Sequence, residues 1–207
     1  MKNRIKTLKS RSYLGIERLA RRSRRRLGFS QTEPIDAMLL WEAIDGHTVQ
    51  DNDGSPYKVE YGVDFLDCEG FTKVEKGTVV VALDDKEYRA LERGQSRPKF
   101  TVAHELGHAE MHVRELQMLN QGLGNALLRG GPDPEIYQNS EWQANAFAGA
   151  FLIPARALAL LEAEGRLAAK EISRHFGVSL SCAKTRLKIY QRRRATLLDL
   201  GPTERKS

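Results

Sequence analysis

Apolar residues recur along this chain with two periods, and the switch between them marks out its elements. Tyr13, Ile16, Leu19, Ala20 and Leu27 fall at helical spacing and give a weak amphipathic stripe. A second helix is predicted from Thr32 as N-cap and Pro34 at its first position; it buries Ile35, Met38, Leu39 and Trp41 and stops at Gly46. The period then shortens to two. Tyr57 to Phe65 alternates, and Gly77 to Leu83 is β-branched and bounded by Gly77 and Asp84-Asp85, so both read as strands. Asp51-Asn52-Asp53-Gly54-Ser55-Pro56 before them is a turn, without the remaining ligands of a calcium loop. The expectation is a small sheet of about three strands.

Helical spacing returns at Asp85 and runs to Arg93, ending at Gly94. Pro98 starts a longer helix with Val102, Leu106, Ala109, Val113 and Leu116 on one face. Gly122, Gly124 and Gly130-Gly131-Pro132 break the chain after it. Ser140 can cap a helix that begins at Glu141, is apolar on most faces and ends at Pro154; another runs from Ala155 to Glu164 and stops at Gly165. The fold class is therefore α+β. Residues 168–187 then resemble a helix-turn-helix, with Gly177 at the turn and Ile172, Phe176, Val178, Ala183 and Leu187 at buried positions. Lys184, Arg186 and Lys188 can face phosphate or bases there. The competing reading is a helical hairpin that completes the fold or docks a protein, and it is preferred to DNA contact.

Charge changes the picture at both ends. Residues 1–30 hold 11 Lys/Arg against 1 Asp/Glu, residues 31–164 hold 11 against 23, and residues 165–207 hold 11 against 3. An acidic centre thus lies between two basic ends, which suits polyanion contact or simple solubility. The expected division is a basic extension over 1–30, a central domain over 31–165 and a helix-turn-helix-like region with a basic tail over 166–207. The extension is expected to be solvated and unconnected with any chemistry. No apolar run approaches the roughly 18 residues of a membrane span, and no apolar segment of a secretory signal follows the basic start. Cys68 and Cys182 are far apart with no metal spacing, which fits reduced thiols and a cytoplasmic location.

The candidate chemistry lies in Phe100-Thr101-Val102-Ala103-His104-Glu105-Leu106-Gly107-His108. It contains H-E-x-x-H. On a helix, His104 and His108 share a face one turn apart and can offer two neutral imidazoles to one Zn²⁺. Glu105 lies beside them, placed to act as general base on a water. Zinc needs a third protein ligand and an open position. His112 shares the face, but on an unbroken helix it lies about 12 Å along the axis from His104, too far for one ion. It is expected beside the ligands or half-buried. From spacing alone the third ligand stays open among Glu141, Glu135, Asp133 and Glu115. Asn145, one turn after Glu141, could hydrogen-bond a ligand. His112 and Tyr137 are candidates to steady an oxyanion, with nothing to choose between them.

Phe100 to His108, Glu141 to Ala148 and Leu152-Ile153-Pro154 together resemble the ImmA/IrrE metallopeptidases, over about residues 78–190. The resemblance implies His104, His108 and Glu141 as zinc ligands and Glu105 as base. It implies a zincin-like minimal metallopeptidase, with a small β-sheet beside the active-site helix and helix-turn-helix-like helices after it. It also implies a partner: several members cleave or inactivate a helix-turn-helix repressor, releasing phage, mobile-element or stress genes. The function expected is a zinc-dependent endopeptidase acting on such a repressor. The alternative is a DNA-binding regulator in which the peptidase fold is a sensor or scaffold. The intact Glu105 argues against that alternative, since a scaffold does not require it.

Overall fold

The computed structural model describes residues 6–123 and 138–199. Among them β1 (Thr48–Gln50), β2 (Pro56–Asp64), β3 (Gly70–Glu75) and β4 (Thr78–Asp84) form one mixed sheet in the order β1-β2-β4-β3. β2 and β4 run parallel; the outer pairs are antiparallel. β4 is central, and Val79, Val81, Ala82 and Leu83 are buried along it, as expected of a strand covered on both faces. β3 is not announced by the sequence. Only its Val74 is buried, and its hairpin turn is Lys76-Gly77, with φ of 49° and 83°. Two-residue turns with positive φ are usually marked by Asn-Gly or Asp-Gly, and Lys-Gly is a weak sign.

The helices before and after the sheet build the layer that covers it. α1 spans Tyr13–Arg26 and α2 spans Ala37–Ile44. Asp36, not Thr32, caps α2: its Oδ1 accepts the N–H groups of Met38 and Leu39. This later start turns Leu40, Trp41 and Ile44 inward and leaves Leu39 exposed, against expectation. α3 (Asp85–Glu92) leads to α4 (Ser96–Met111), where Pro98 sits in the first turn and removes no helical hydrogen bond. α4 ends at His112 (φ −126°), where α5 (Val113–Asn120) begins, so the long apolar stripe is shared between two helices. α6 (Ser140–Leu152) is capped by Asn139, whose side chain accepts from Trp142 N–H; Ser140 is the first helical residue rather than the cap.

α7 (Ala155–Ala163), α8 (Ala169–Phe176) and α9 (Leu180–Leu198) follow, with Gly177 in the left-handed region between the last two (φ 57°). This pair is fastened to the rest. The buried Lys99 of α4 donates its Nζ–H to Phe176 O at 2.6 Å, and the buried Arg186 of α9 donates to Ile153 O at 2.8 Å and pairs with Glu17 of α1. Arg186 is therefore not an outward phosphate ligand, a correction to the sequence reading. The basic N-terminal segment is corrected too. α1 packs on α6 with Ile16, Leu19 and Ala20 buried, and the fully buried Arg24 donates to the carbonyls of Ser30, Glu33 and Phe151. Arginine reads as solvated by composition, yet its fork can end a helix and tie down loops when carbonyls converge on it. Among the described residues no single helix is long and apolar enough to cross a membrane.

Candidate metal centre

α4 and α6 approach at a glycine. A Cβ on Gly107 would stand 3.0 Å from Phe147 Cδ1 and 3.3 Å from Ala144 Cα, so this closeness depends on the missing side chain. The approach brings Glu141, in the first turn of α6, over His104 and His108. The two Nε2 atoms lie 3.1 Å apart, and the Glu141 carboxylate oxygens stand 3.5 Å from His104 Nε2 and 3.3 Å from His108 Nε2. These three residues offer ligand atoms all within 4.8 Å of one another. Ligands about 2.0–2.1 Å from a tetrahedral ion lie about 3.3 Å from each other, so the observed triangle has the right size for one metal.

The protons agree with the distances. His104 Nδ1 lies 3.1 Å from Asn145 Oδ1, and His108 Nδ1 lies 3.0 Å from His112 Nδ1. When both ligand histidines donate from Nδ1, their Nε2 lone pairs face each other and a carboxylate. Three electron-rich atoms converging in a largely buried place can hold a metal ion. Electrostatics gives the same sense. The contacts with His104 and His108 hold Glu141 far below the usual carboxylate range, although burial opposes this. Burial alone would lower His104, but its contact with Glu141 and the charges of Glu105 and Glu141 raise it. Burial, and then His108, push His112 well below the ordinary imidazole range, so it is neutral.

Glu105 lines the same cleft, of about 550 Å³, and its Oε2 accepts the hydroxyl of Thr72 on β3 at 2.7 Å. No periodicity or motif singles out Thr72, and sequence reasoning missed it. Glu115 also reaches the cleft wall, but it is turned to the N-terminal segment and accepts Leu8 N–H at 2.8 Å, outside the metal group. His112 is 1% exposed and both its ring nitrogens are engaged, Nε2 with Gln143 Oε1 at 3.1 Å. It has no free N–H for an oxyanion. Tyr137, Glu135 and Asp133 lie outside the described residues.

No curated protein matches the chain. Among solved structures, a Mycobacterium tuberculosis transcriptional regulator is similar at 18% identity and a TM-score of 0.47, over 84% of this chain and 46% of that one. This chain thus spans under half the length of that regulator. Residues 92–188 match the family model Peptidase_M78, IrrE N-terminal-like domain. That stretch holds α4, Glu141 and most of the α8–α9 pair, and the match supports membership of the ImmA/IrrE family.

Proposed function

We propose that the protein is a zinc-dependent endopeptidase, with His104, His108 and Glu141 as ligands, Glu105 as general base and a DNA-binding repressor as substrate. The observation that carries this reading is the triangle of two imidazole nitrogens and a carboxylate, with a fourth side open to the cleft that Glu105 lines. Zinc, when bound, supplies a Lewis acid that polarises a carbonyl and brings the pKa of a water to roughly 7. Thr72 holds Glu105 Oε2, which leaves Oε1 to take a proton from the attacking water and hand it to the leaving amine. Asn145 and His112 hold the ligand rings.

The cleft also suits an extended peptide. β3 is the sheet edge beside it, and Gly70, Phe71 and Thr72 line the wall. Glu69 O bonds Asp84 N–H, on the β4 side, while Val74 O accepts from Asn120, on the other. By the two-residue alternation, the backbone groups of Gly70 and Thr72 point away from β4 toward the cleft, where a substrate strand can pair. Past Phe100 and Asn145 the cleft continues into a largely apolar groove of about 560 Å³ along α9. The repressor as substrate rests on the family resemblance.

The DNA-binding alternative draws on one observation, the exposed Lys184, Lys188, Arg192 and Arg193 of α9. The test for the main reading is incubation of the zinc-loaded protein with the repressor encoded beside it, followed by mass spectrometry of the fragments. Specific fragments are expected. Glu105→Gln should keep normal zinc content and cleave about 10²–10⁴ times more slowly. Wild-type cleavage by this variant would remove Glu105 from the mechanism. No fragments, with tight and salt-tolerant binding to one DNA sequence, would favour the alternative.

A further inference from the structure

The N-terminal segment crosses the mouth of α6. Lys6 forms a bridge with Asn139, Thr7 N–H donates to Gln138 O at 2.8 Å, and Leu8 N–H donates to Glu115 at 2.8 Å. The Thr7 hydroxyl and the Lys9 carbonyl both lie 3.0 Å from Gln143 Nε2. The chain of contacts then runs through Gln143 and His112 to His108.

We propose that Lys9, Gln143 and His112 form a positioning relay that fixes which nitrogen of His108 faces the metal. The inference rests on the metal-centre reading above. Donor and acceptor polarity is passed along the chain of contacts. A backbone carbonyl can only accept, so the end of Gln143 at Lys9 O is its amide nitrogen. The other end, Oε1, can also only accept, so His112 carries its proton on Nε2. Neutral His112 then has a lone pair on Nδ1, and His108 must donate to it from its own Nδ1. His108 Nε2 is left as a lone pair directed at His104 and Glu141. A carbonyl of residue 9 thereby sets the tautomer of residue 108 through two fully buried side chains. His104 needs only Asn145 for the same purpose. Packing alone would fill the space around His112 but would not require this order of donors.

Two measurements on the full chain test the relay. In the metal-free protein, long-range ¹H–¹⁵N correlation spectra report which ring nitrogen bears the proton. The expected pattern is Nε2–H for His112 and Nδ1–H for His108. An Nε2–H tautomer at His108 overturns the relay whether or not metal binds. The second measurement is zinc affinity by chelator competition, read beside the melting temperature of the metal-free protein. His112→Asn keeps an acceptor where Nδ1 stood and should stay within about threefold of wild type. His112→Phe and Gln143→Leu fill the space without it and should bind zinc about 10–100-fold more weakly, the usual effect of removing a partner of a ligand histidine. Wild-type affinity in His112→Phe, or equal loss in His112→Asn at unchanged melting temperature, rules the relay out. If wild-type protein binds zinc no better than Glu141→Ala, the metal reading fails instead, and the spectra still judge the relay.

Discussion

Two clusters of histidine and carboxylate hang from α4, six residues or fewer apart in sequence. In one, Glu110 accepts from Ser23 Oγ at 2.7 Å and from Arg26 at 2.6 and 2.7 Å, with His47 Nε2 3.2 Å away. In the other, His104, His108 and Glu141 converge, and none of the three is a lysine or arginine. The residue types are nearly the same. The first cluster contains its own guanidinium and completes itself; the second has no guanidinium or ammonium and could hold a metal ion. A buried polar group that the fold satisfies is architecture, and one that it leaves electron-rich is a site.

The strongest way to break this contrast is to remove an acceptor from the incomplete cluster. Wild-type protein should bind about one zinc per chain, and His104→Ala or Glu141→Ala should bring metal content by atomic absorption close to zero. Full retention in Glu141→Ala would mean a different third ligand. The reverse operation removes a cation from a complete pair. Arg186 and Glu17 are 3% and 0% exposed, and Arg186→Ala leaves Glu17 buried with no cation beside it and only the N–H of Ala155 as partner. Denaturant unfolding of the metal-free protein should show a loss of about 3–5 kcal/mol. An unaffected midpoint would mean Glu17 finds water, and that the pair does not hold α9 to α1.

Gly107→Ala tests whether the clusters are separable. The added methyl meets Phe147 and Ala144 and pushes α6 from α4. A stability loss of about 1–3 kcal/mol is expected, with weaker zinc binding, because Glu141 moves with α6. Unchanged affinity alongside lowered stability would show that the site tolerates helix displacement. The smallest effect concerns pH. Burial opposes ionisation of Glu110, but His47, Arg26 and Ser23 together hold it below its usual range. A depressed carboxylate stabilises the fold above its unfolded pKa, about 4.3, and that contribution is lost as pH falls through the folded value. Glu110→Gln should flatten this acid slope in urea titrations below about pH 4. A slope equal to wild type would assign it to other carboxylates.

What was readable in the sequence was local. The H-E-x-x-H turn, the helix bearing Glu141 and Asn145, and the central strand β4 each follow from spacing within a few residues, and the structure places all of them as elements. The Glu110 cluster joins residues 63 to 87 positions apart, with no period to reveal it. Thr72 reaches Glu105 from a strand whose hairpin lacks its usual sign. Arginine-rich α1 looked solvated because charge counts carry no direction, yet Arg24 points inward at three carbonyls. Arg186 misled in the same way: a basic residue after a helical turn fits a DNA reader as well as it fits a buried pair.

The contacts that hold the metal centre also differ in how far they reach along the chain. His104 and His108 are four residues apart, while Gln143 meets Thr7 and Lys9 across 136 and 134 positions. Loops of that length close late, after local helices have formed. In a refolding experiment the two histidines are therefore expected to become a pair before the N-terminal segment docks. Zinc present from the start meets a two-toothed foothold on a single helix. Zinc added at the end meets a finished pocket. The order of mixing thus becomes an experimental variable for this chain, one that asks when residues 6–9 dock.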